Sequence, residues 1–240
     1  MKKIFFTFCL VAISIATFTS CNKDAVQKAS IPVSSISKYS NGNEFMQFEY
    51  NSDSTVKKVT VKSELSTAGE ATDFLVVYNN DKSIKELTTT NEDKIVPAYT
   101  NGLLTKADIV RHDRKVAFTN YNYENNKLRD ITIYFIEEER NIPVLQFKFS
   151  YNNAGNISET VTMMADGADG KLTYAGSNKM DYSTNINPLY QHNDLLILFW
   201  QPVSKNNVRT ESVYNKKNVV LAKNSYVYSY QNNEYKKIEL

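Results

Sequence analysis

The chain has 240 residues, with 28 basic and 26 acidic side chains, a formal charge of +2, sixteen tyrosines, twelve phenylalanines, seven glycines and two cysteines. Near-neutrality without a block of lysine and arginine removes any electrostatic case for nucleic acid or anionic lipid as a partner. Two cysteines cannot build a disulfide framework or a thiolate metal site.

In chain order, Lys2 and Lys3 precede an apolar run of 13 residues, Ile4 to Ala16. That is well short of the roughly 20 residues that span a bilayer, so residues 1–20 are expected to be a secretory signal peptide and not a membrane helix. Small residues at Thr19 and Ser20 stand directly before Cys21. This junction resembles the lipobox of bacterial lipoproteins. The resemblance implies that the Cys21 thiol receives a diacylglycerol, that the leader is removed and that the new amino terminus is acylated. Each buried methylene contributes about 0.8 kcal/mol, and two or more chains give stable anchoring. Cys9 lies inside the leader, which leaves the mature body without a free thiol, so in an export compartment that permits disulfides the fold is held by its own core. Removing Lys2 and Lys3 leaves 26 basic against 26 acidic side chains. Residues 21–30 read as a lipidated tether that reaches at most about 3.3–3.6 Å per residue and keeps the body close to a membrane. Asn22 after the cysteine, by analogy with lipoprotein sorting, favours the outer membrane.

Residues 31–240 are expected to form one all-β domain, a strongly curved or barrel-like antiparallel meander of hairpins. One local pattern recurs: an alternating strand ending in tyrosine, a turn rich in Asn and Asp, then a strand opening on an aliphatic or aromatic residue. Tyr50 precedes Asn51-Ser52-Asp53 with Val56 and Val59; Tyr78 precedes Asn79-Asn80-Asp81 with Ile84 and Leu87. Tyr123 precedes Glu124-Asn125-Asn126 with Leu128 and Ile131; Tyr151 precedes Asn152-Asn153-Ala154-Gly155 with Ile157; Tyr230 precedes Gln231-Asn232-Asn233 with Tyr235 and Ile238. Asn and Gly tolerate the left-handed backbone of tight hairpins, and Asn41-Gly42 and Asn101-Gly102 are further hairpin signals. Leu145, Phe147, Phe149 and Tyr151 alternate with polar residues, as in a half-buried strand, and Tyr226, Tyr228 and Tyr230 form a ladder on one face. Phe74–Tyr78 and Ile131–Ile136 are largely apolar on both faces, so a cover over the second side of the sheet is expected there.

Asn187-Pro188 is a helix start, Asn as cap and Pro in the first turn, and Gln201-Pro202 stops it. A helix over about 188–199 is therefore expected, packed in or against the curved sheet, because Leu195 to Trp200 is apolar around most of its circumference. A core strand is the alternative, since six apolar residues do not fix a period.

Candidate chemistry is sparse. His112-Asp113-Arg114 joins a base, an acid and a cation, but neighbouring strand residues point to opposite faces, and a solvated turn between Val110 and Val116 explains them. His192 has Asp194 nearby; a metal site would need both His112 and His192 with carboxylates. Asp166-Gly167-Ala168-Asp169-Gly170 lacks the late bidentate glutamate of a calcium loop and is better explained as a hairpin turn. No serine stands in a nucleophile elbow, and seven glycines leave little room for a phosphate-cradling loop. Tyr226 and Tyr228, if exposed, could stack sugars. The residues thus assign no catalytic group, metal or cofactor, and the only site residue is the lipidation site Cys21.

The tyrosine–turn–aliphatic units resemble degenerate tyrosine-aspartate repeats, with Asn51, Asn79 and Asn152 where those repeats usually carry the acid. The lipobox, the meander and the Asn187-Pro188-Leu189 helix leading to Ser204-Lys205-Asn206-Asn207 together resemble a family of bacterial lipoproteins of unknown function whose fold is described as porin-like. That resemblance spans roughly residues 30 to 240 and implies a shape without catalytic residues. A membrane-spanning barrel needs an unbroken outward apolar band, and Lys58, Lys62, Lys148 and Lys236 interrupt these strands. The expected protein is a lipid-anchored envelope module on the outer membrane or cell surface, binding or scaffolding a glycan, lipid or envelope protein. The alternatives are a carrier of an apolar ligand in a curved-sheet cavity and a hydrolase using His112 or His192.

Overall fold

The computed structural model describes residues 36–62, 70–167, 169–199 and 202–240. The expected signal peptide, Cys21 and the tether at 21–30 lie outside the described residues. Fifteen strands follow one another around a closed barrel. They are β1 (Lys38–Asn41), β2 (Glu44–Tyr50), β3 (Val56–Lys62), β4 (Thr72–Tyr78) and β5 (Ile84–Thr89). Next come β6 (Lys94–Thr100), β7 (Leu103–Arg111), β8 (Arg114–Glu124), β9 (Lys127–Glu137) and β10 (Arg140–Tyr151). The last are β11 (Ile157–Ala165), β12 (Leu172–Ile186), β13 (Asn206–Asn215), β14 (Val220–Gln231) and β15 (Glu234–Glu239). Every sequential pair is antiparallel, and β1 closes on β15 in parallel, Tyr39 opposite Tyr235. The parallel closure follows from the odd count: in an up-and-down meander the first and fifteenth strands run the same way.

Ten of the described turns fall into two kinds. Asn101-Gly102, His112-Asp113, Asn125-Asn126, Glu138-Glu139 and Asn232-Asn233 are two-residue turns with φ positive at both residues, the geometry that matches strand twist in hairpins. The second kind takes five residues: Asn51–Thr55, Asn79–Ser83, Thr89–Asp93, Asn152–Asn156 and Asn215–Val219. In each, the first residue's N–H donates to the fifth residue's carbonyl, and the fourth residue's N–H donates back to the first carbonyl, as in Asn51 N to Thr55 O at 2.8 Å. The fourth residue is left-handed in all five, from Asn218 at φ 58° to Gly155 at φ 82°. Asparagine suits the first place because its side chain completes the loop: Asn152 Oδ1 accepts from Ala154 N and Asn156 N, both at 3.0 Å. The five tyrosine units are thus divided, with Tyr123 and Tyr230 leading into two-residue turns. The Asn41-Gly42 signal is displaced by one residue, since Asn41 pairs with Glu44 and the turn is Gly42-Asn43. Asp166–Lys171 is a hairpin turn, closed by Asp166 N to Lys171 O at 2.9 Å.

Four of the units, together with Tyr99, share a feature deeper than the turn, which the Tyr230 unit lacks. Tyr50 pairs with Val56, Tyr78 with Ile84, Tyr99 with Leu104, Tyr123 with Leu128 and Tyr151 with Ile157, and a one-residue register shift precedes each pair. The extra residue directly follows the one paired with the tyrosine on the returning strand: Lys57, Lys85, Thr105, Arg129 and Ser158. Such a bulge changes the phase of a strand and increases its twist. It lets Val56, Val59 and Val61 all face inward, and likewise Ile84, Leu87 and Thr89, and Leu128, Ile131 and Ile133. A spacing of three and then two is incompatible with strict alternation; the bulge reconciles it.

The tyrosines then fasten the strand ends. Tyr50 Oη donates to Ile36 O at 2.6 Å, Tyr151 Oη to Leu128 O at 2.7 Å and Tyr182 Oη to Ile157 O at 2.7 Å. In each case a phenol near the end of one strand reaches the carbonyl at the start of the strand before it.

One continuous core draws on most of the strands and on the segment between β12 and β13. Val59, Leu87, Ile131, Ile133 and Leu195 have 0% exposure, which a water-filled lumen would not allow. The expected helix is present but not uniform. Pro188–Leu195 is a 3₁₀ helix broken by non-helical backbone at His192, and a single α-helical turn, α1 (Leu196–Phe199), follows. Asn187 caps it, its Oδ1 accepting from Leu189 N at 3.0 Å. Leu189, Leu195, Leu196 and Ile197 are buried in the core, so this segment plugs one end of the barrel. The break at His192 lets that ring lie against the wall while Leu195–Ile197 turn inward.

The expected cover over the outer sheet is corrected. The plug lies inside, Leu75 and Val77 of β4 are 47% and 41% exposed, and only their neighbour Val76 is in the core. On β9 the outward residue Tyr134 is instead stacked on Phe118 across the strands, at 4.7 Å.

Replacing Tyr151 by Phe removes one bond and leaves the Leu128 carbonyl unsatisfied, so stability should fall by about 1–2 kcal/mol. Urea unfolding measures this; an unchanged midpoint would mean that the phenol does not fasten the strand end.

Candidate functional site

The plugged end brings together more side-chain chemistry than any motif of the sequence. His192 is 7% exposed, stacks on Phe48 at 5.0 Å and places Nε2 3.0 Å from Tyr50 Oη. The Tyr50 proton is committed to the Ile36 carbonyl, which can only accept, so hydrogen-bond accounting assigns the Nε2–H tautomer, with His192 donating to Tyr50. Burial pushes this imidazole down to about 4, and it is neutral at pH 7.

Between the plug and the wall formed by β12–β15, β1 and β2 lies a cavity of about 130 Å³. Met46, Met180 and Leu189 supply apolar wall, Tyr39, Tyr228 and Tyr235 supply aromatic wall, and the plug's stems at Asn187 and Pro202–Ser204 bound one side. Tyr228 and Tyr235 stack at 5.3 Å, and Tyr39 lies 5.9 Å from Tyr235. The Tyr182 hydroxyl is 2.8 Å from Ser204 Oγ and the Tyr235 hydroxyl donates to Asn207 Oδ1. Burial raises Tyr39, Tyr228 and Tyr235 far above the usual phenol range and Tyr182 to about 12, so all four stay protonated.

Lys237 also lines this cavity. It is inward-facing on β15, directly opposite Tyr228, and 8% exposed. Its ammonium sits 3.6 Å from the centre of the Tyr226 ring, a cation–π contact of the kind worth about 2 kcal/mol when desolvated. Tyr226 Oη donates to Glu211 Oε2 at 2.8 Å, and Asn178 Nδ2 donates to Glu211 Oε1 at 2.8 Å. Burial lowers the affinity of Lys237 for its proton, while Glu211 and Glu239 oppose the shift. The arc β12–β15 is thus the polar side of an otherwise apolar interior.

The sequence candidates fall elsewhere. His112 and Asp113 are the two exposed residues of the β7/β8 turn, at the end of the barrel opposite the plug. That turn and the His192 plug are separated by strands of about ten residues, roughly 30 Å of extended chain, so the two histidines cannot meet in one site, and the two-histidine metal site is corrected. Tyr226 and Tyr228 face the interior, so they are not a sugar-stacking surface. Lys237 was missed, although its phase with Tyr235 (two residues apart on one strand) already placed an ammonium on the tyrosine face.

The outer wall is of the opposite character. Lys58 pairs with Glu49 at 2.5 Å and Asp73 at 3.5 Å, and Lys115 with Asp108 at 2.7 Å. These ion pairs lie across neighbouring strands.

No protein-family model and no curated protein matches the chain. Among solved structures it is similar to a porin-like protein from Bacteroides vulgatus, at 12% identity and a TM-score of 0.53, over 80% of this chain and 84% of that one. It also matches a porin-like protein from Bacteroides uniformis, at 10% identity and a TM-score of 0.49, over 82% and 88%. At such identity the first likeness shows a shared porin-like barrel fold.

The His192 geometry gives a pH signature. Between pH 6.5 and about 4 the unfolded chain carries a proton on His192 that the folded chain refuses. Stability is therefore full above pH 6.5 and falls through that window, by about 1–3 kcal/mol. Asp53 and Asp81, held below the usual carboxylate range by hydroxyl and backbone donors of Thr55 and Ser83, lose their contribution only at lower pH. Urea midpoints at pH 7 and pH 5 should differ in the native protein and much less in His192→Gln; equal slopes would contradict the assignment.

Proposed function

We propose that the chain is exported, lipidated at Cys21 and held at the cell envelope, where the barrel serves as a non-enzymatic binding or scaffolding module on the outer membrane or cell surface. The observation that carries this reading is the pairing of a packed, plugged interior with an ion-paired outer wall. A conduit needs an open lumen, and the fully shielded Leu87, Ile131 and Leu195 fill it. A bilayer-spanning wall needs an unbroken outward apolar band, and ion-paired lysines such as Lys58 and Lys115 interrupt it. The barrel is therefore read as a body carried by a lipid, with residues 21–30 as its tether. The recurring tyrosine units are, on this reading, degenerate tyrosine-aspartate-type repeats that supply the wall. The porin-like neighbour is compatible with an envelope location.

The cavity favours a second reading, a carrier of a small, largely apolar ligand, because its walls combine two thioethers with four aromatic rings.

In cells, Cys21→Ser should abolish lipid labelling and leave the chain unprocessed or released from the membrane fraction. Unchanged mass and retention would overturn the anchoring. Added to a planar bilayer, the purified protein should give no conductance steps; stable open channels would overturn the plugged-body reading.

A further inference from the structure

Deepening the binding-module reading on which it rests, we propose that the cavity beside Lys237 is a binding site for a small organic carboxylate with a compact apolar body. Three donors carry the argument. Lys237 is more than nine-tenths buried, lines the cavity and, among the described residues, has no carboxylate within 4.0 Å and no hydrogen bond; only the Tyr226 ring faces its ammonium. Tyr39 and Tyr228 line the same cavity, and neither hydroxyl has a hydrogen-bond partner among the described residues. Their neighbours Tyr182 and Tyr235 differ in this respect, each being engaged by the protein.

A lysine and two phenols line one space, and their polar atoms are open to it with no protein acceptor committed to them, so together they form a donor set that an acceptor from outside can engage. The ammonium selects negative charge. A carboxylate offers two oxygens and about four lone-pair positions, enough for all three donors at once. The rest of the wall excludes a purely polar anion: Met46, Met180 and Leu189 would leave the far side of a phosphate or sulfate without partners. Size sets the body. A cavity of about 130 Å³ is close to the roughly 150 Å³ that accepts benzene in an engineered core, so one six-membered ring or a short aliphatic chain fills it. The thioethers adapt to either. Because the plug stems at Asn187 and Pro202–Ser204 bound the site, occupancy should stabilise the plug and raise the melting temperature by mass action.

Calorimetry and thermal melting of the purified mature protein would use benzoate, phenylacetate and hexanoate, against benzamide, benzyl alcohol, inorganic phosphate and sulfate. At least one carboxylate should raise the Tm and bind tenfold or more tighter than its neutral analogue, with phosphate and sulfate inert. Lys237→Met should weaken that binding at least tenfold, and Val208→Phe, which fills the cavity from β13 and leaves Lys237 in place, should abolish it. Equal binding of the neutral analogues, binding of phosphate alone, binding unaltered in either folded variant, or no Tm shift with any carboxylate at millimolar concentration would each overturn the inference. Should Lys237→Met fail to fold, the ligand series on the native protein and Val208→Phe still decide. Loss of carboxylate binding with membrane retention intact counts against this site only; loss of Cys21-dependent retention counts against the anchoring only.

Discussion

The barrel depends on keeping its aliphatic side chains pointed inward across a spacing that simple alternation cannot serve. After Tyr50, Tyr78, Tyr99, Tyr123 and Tyr151 the returning strand presents aliphatic or small inward positions separated by three residues and then two, as in Val56, Val59 and Val61. A one-residue bulge at Lys57, Lys85, Thr105, Arg129 or Ser158 absorbs the mismatch. Repeated at one end of the barrel, the bulges add twist, and twist is what allows a long sheet to curl back on itself. Curvature, the inward core and the tyrosine fasteners are thus consequences of one local device, which recurs at Tyr182–Val208 and Tyr214–Val220.

Closure then imposes two demands. Fifteen strands must join first to last in parallel, and they enclose more space than eight strands would, the number whose side chains alone suffice to fill a barrel. The segment from Pro188 to Phe199 meets the second demand from inside. Its Leu195, Leu196 and Ile197 complete the apolar side of the core, and His192 docks on Phe48 and Tyr50. What the plug leaves open is the cavity on the polar arc, where Glu211, Tyr226 and Lys237 form a chain of buried polar contacts. A filled barrel thereby retains one small, chemically defined space.

Much of the architecture was legible in the sequence because it is local. Turn residues, the half-buried strands and the Asn187-Pro188 cap act over a few positions, and the structure has them where the residues place them. The bulges were visible but unread: Val56 with Val59, and Ile84 with Leu87, are three apart, which period-2 reasoning passes over. The closure of β1 on β15 joins Lys38 to Glu234 and depends on the total strand count, which leaves no local mark. Lys237 was obscured by a general expectation that lysine marks the solvent face. The outward Leu75 and Val77 show the converse, apolar residues that the wall leaves exposed.

The most direct measurement is thiol labelling of single cysteines on β5 in the chain from residue 31 onward, which has no cysteine of its own. If β5 carries its bulge at Lys85 and the interior is packed, Leu87→Cys should react only as fast as the barrel globally unfolds, while Glu86→Cys reacts readily in the folded state. Regular alternation from Ile84 would reverse the two. Rapid labelling of Leu87→Cys with Glu86→Cys protected, or rapid labelling of both, would contradict the account.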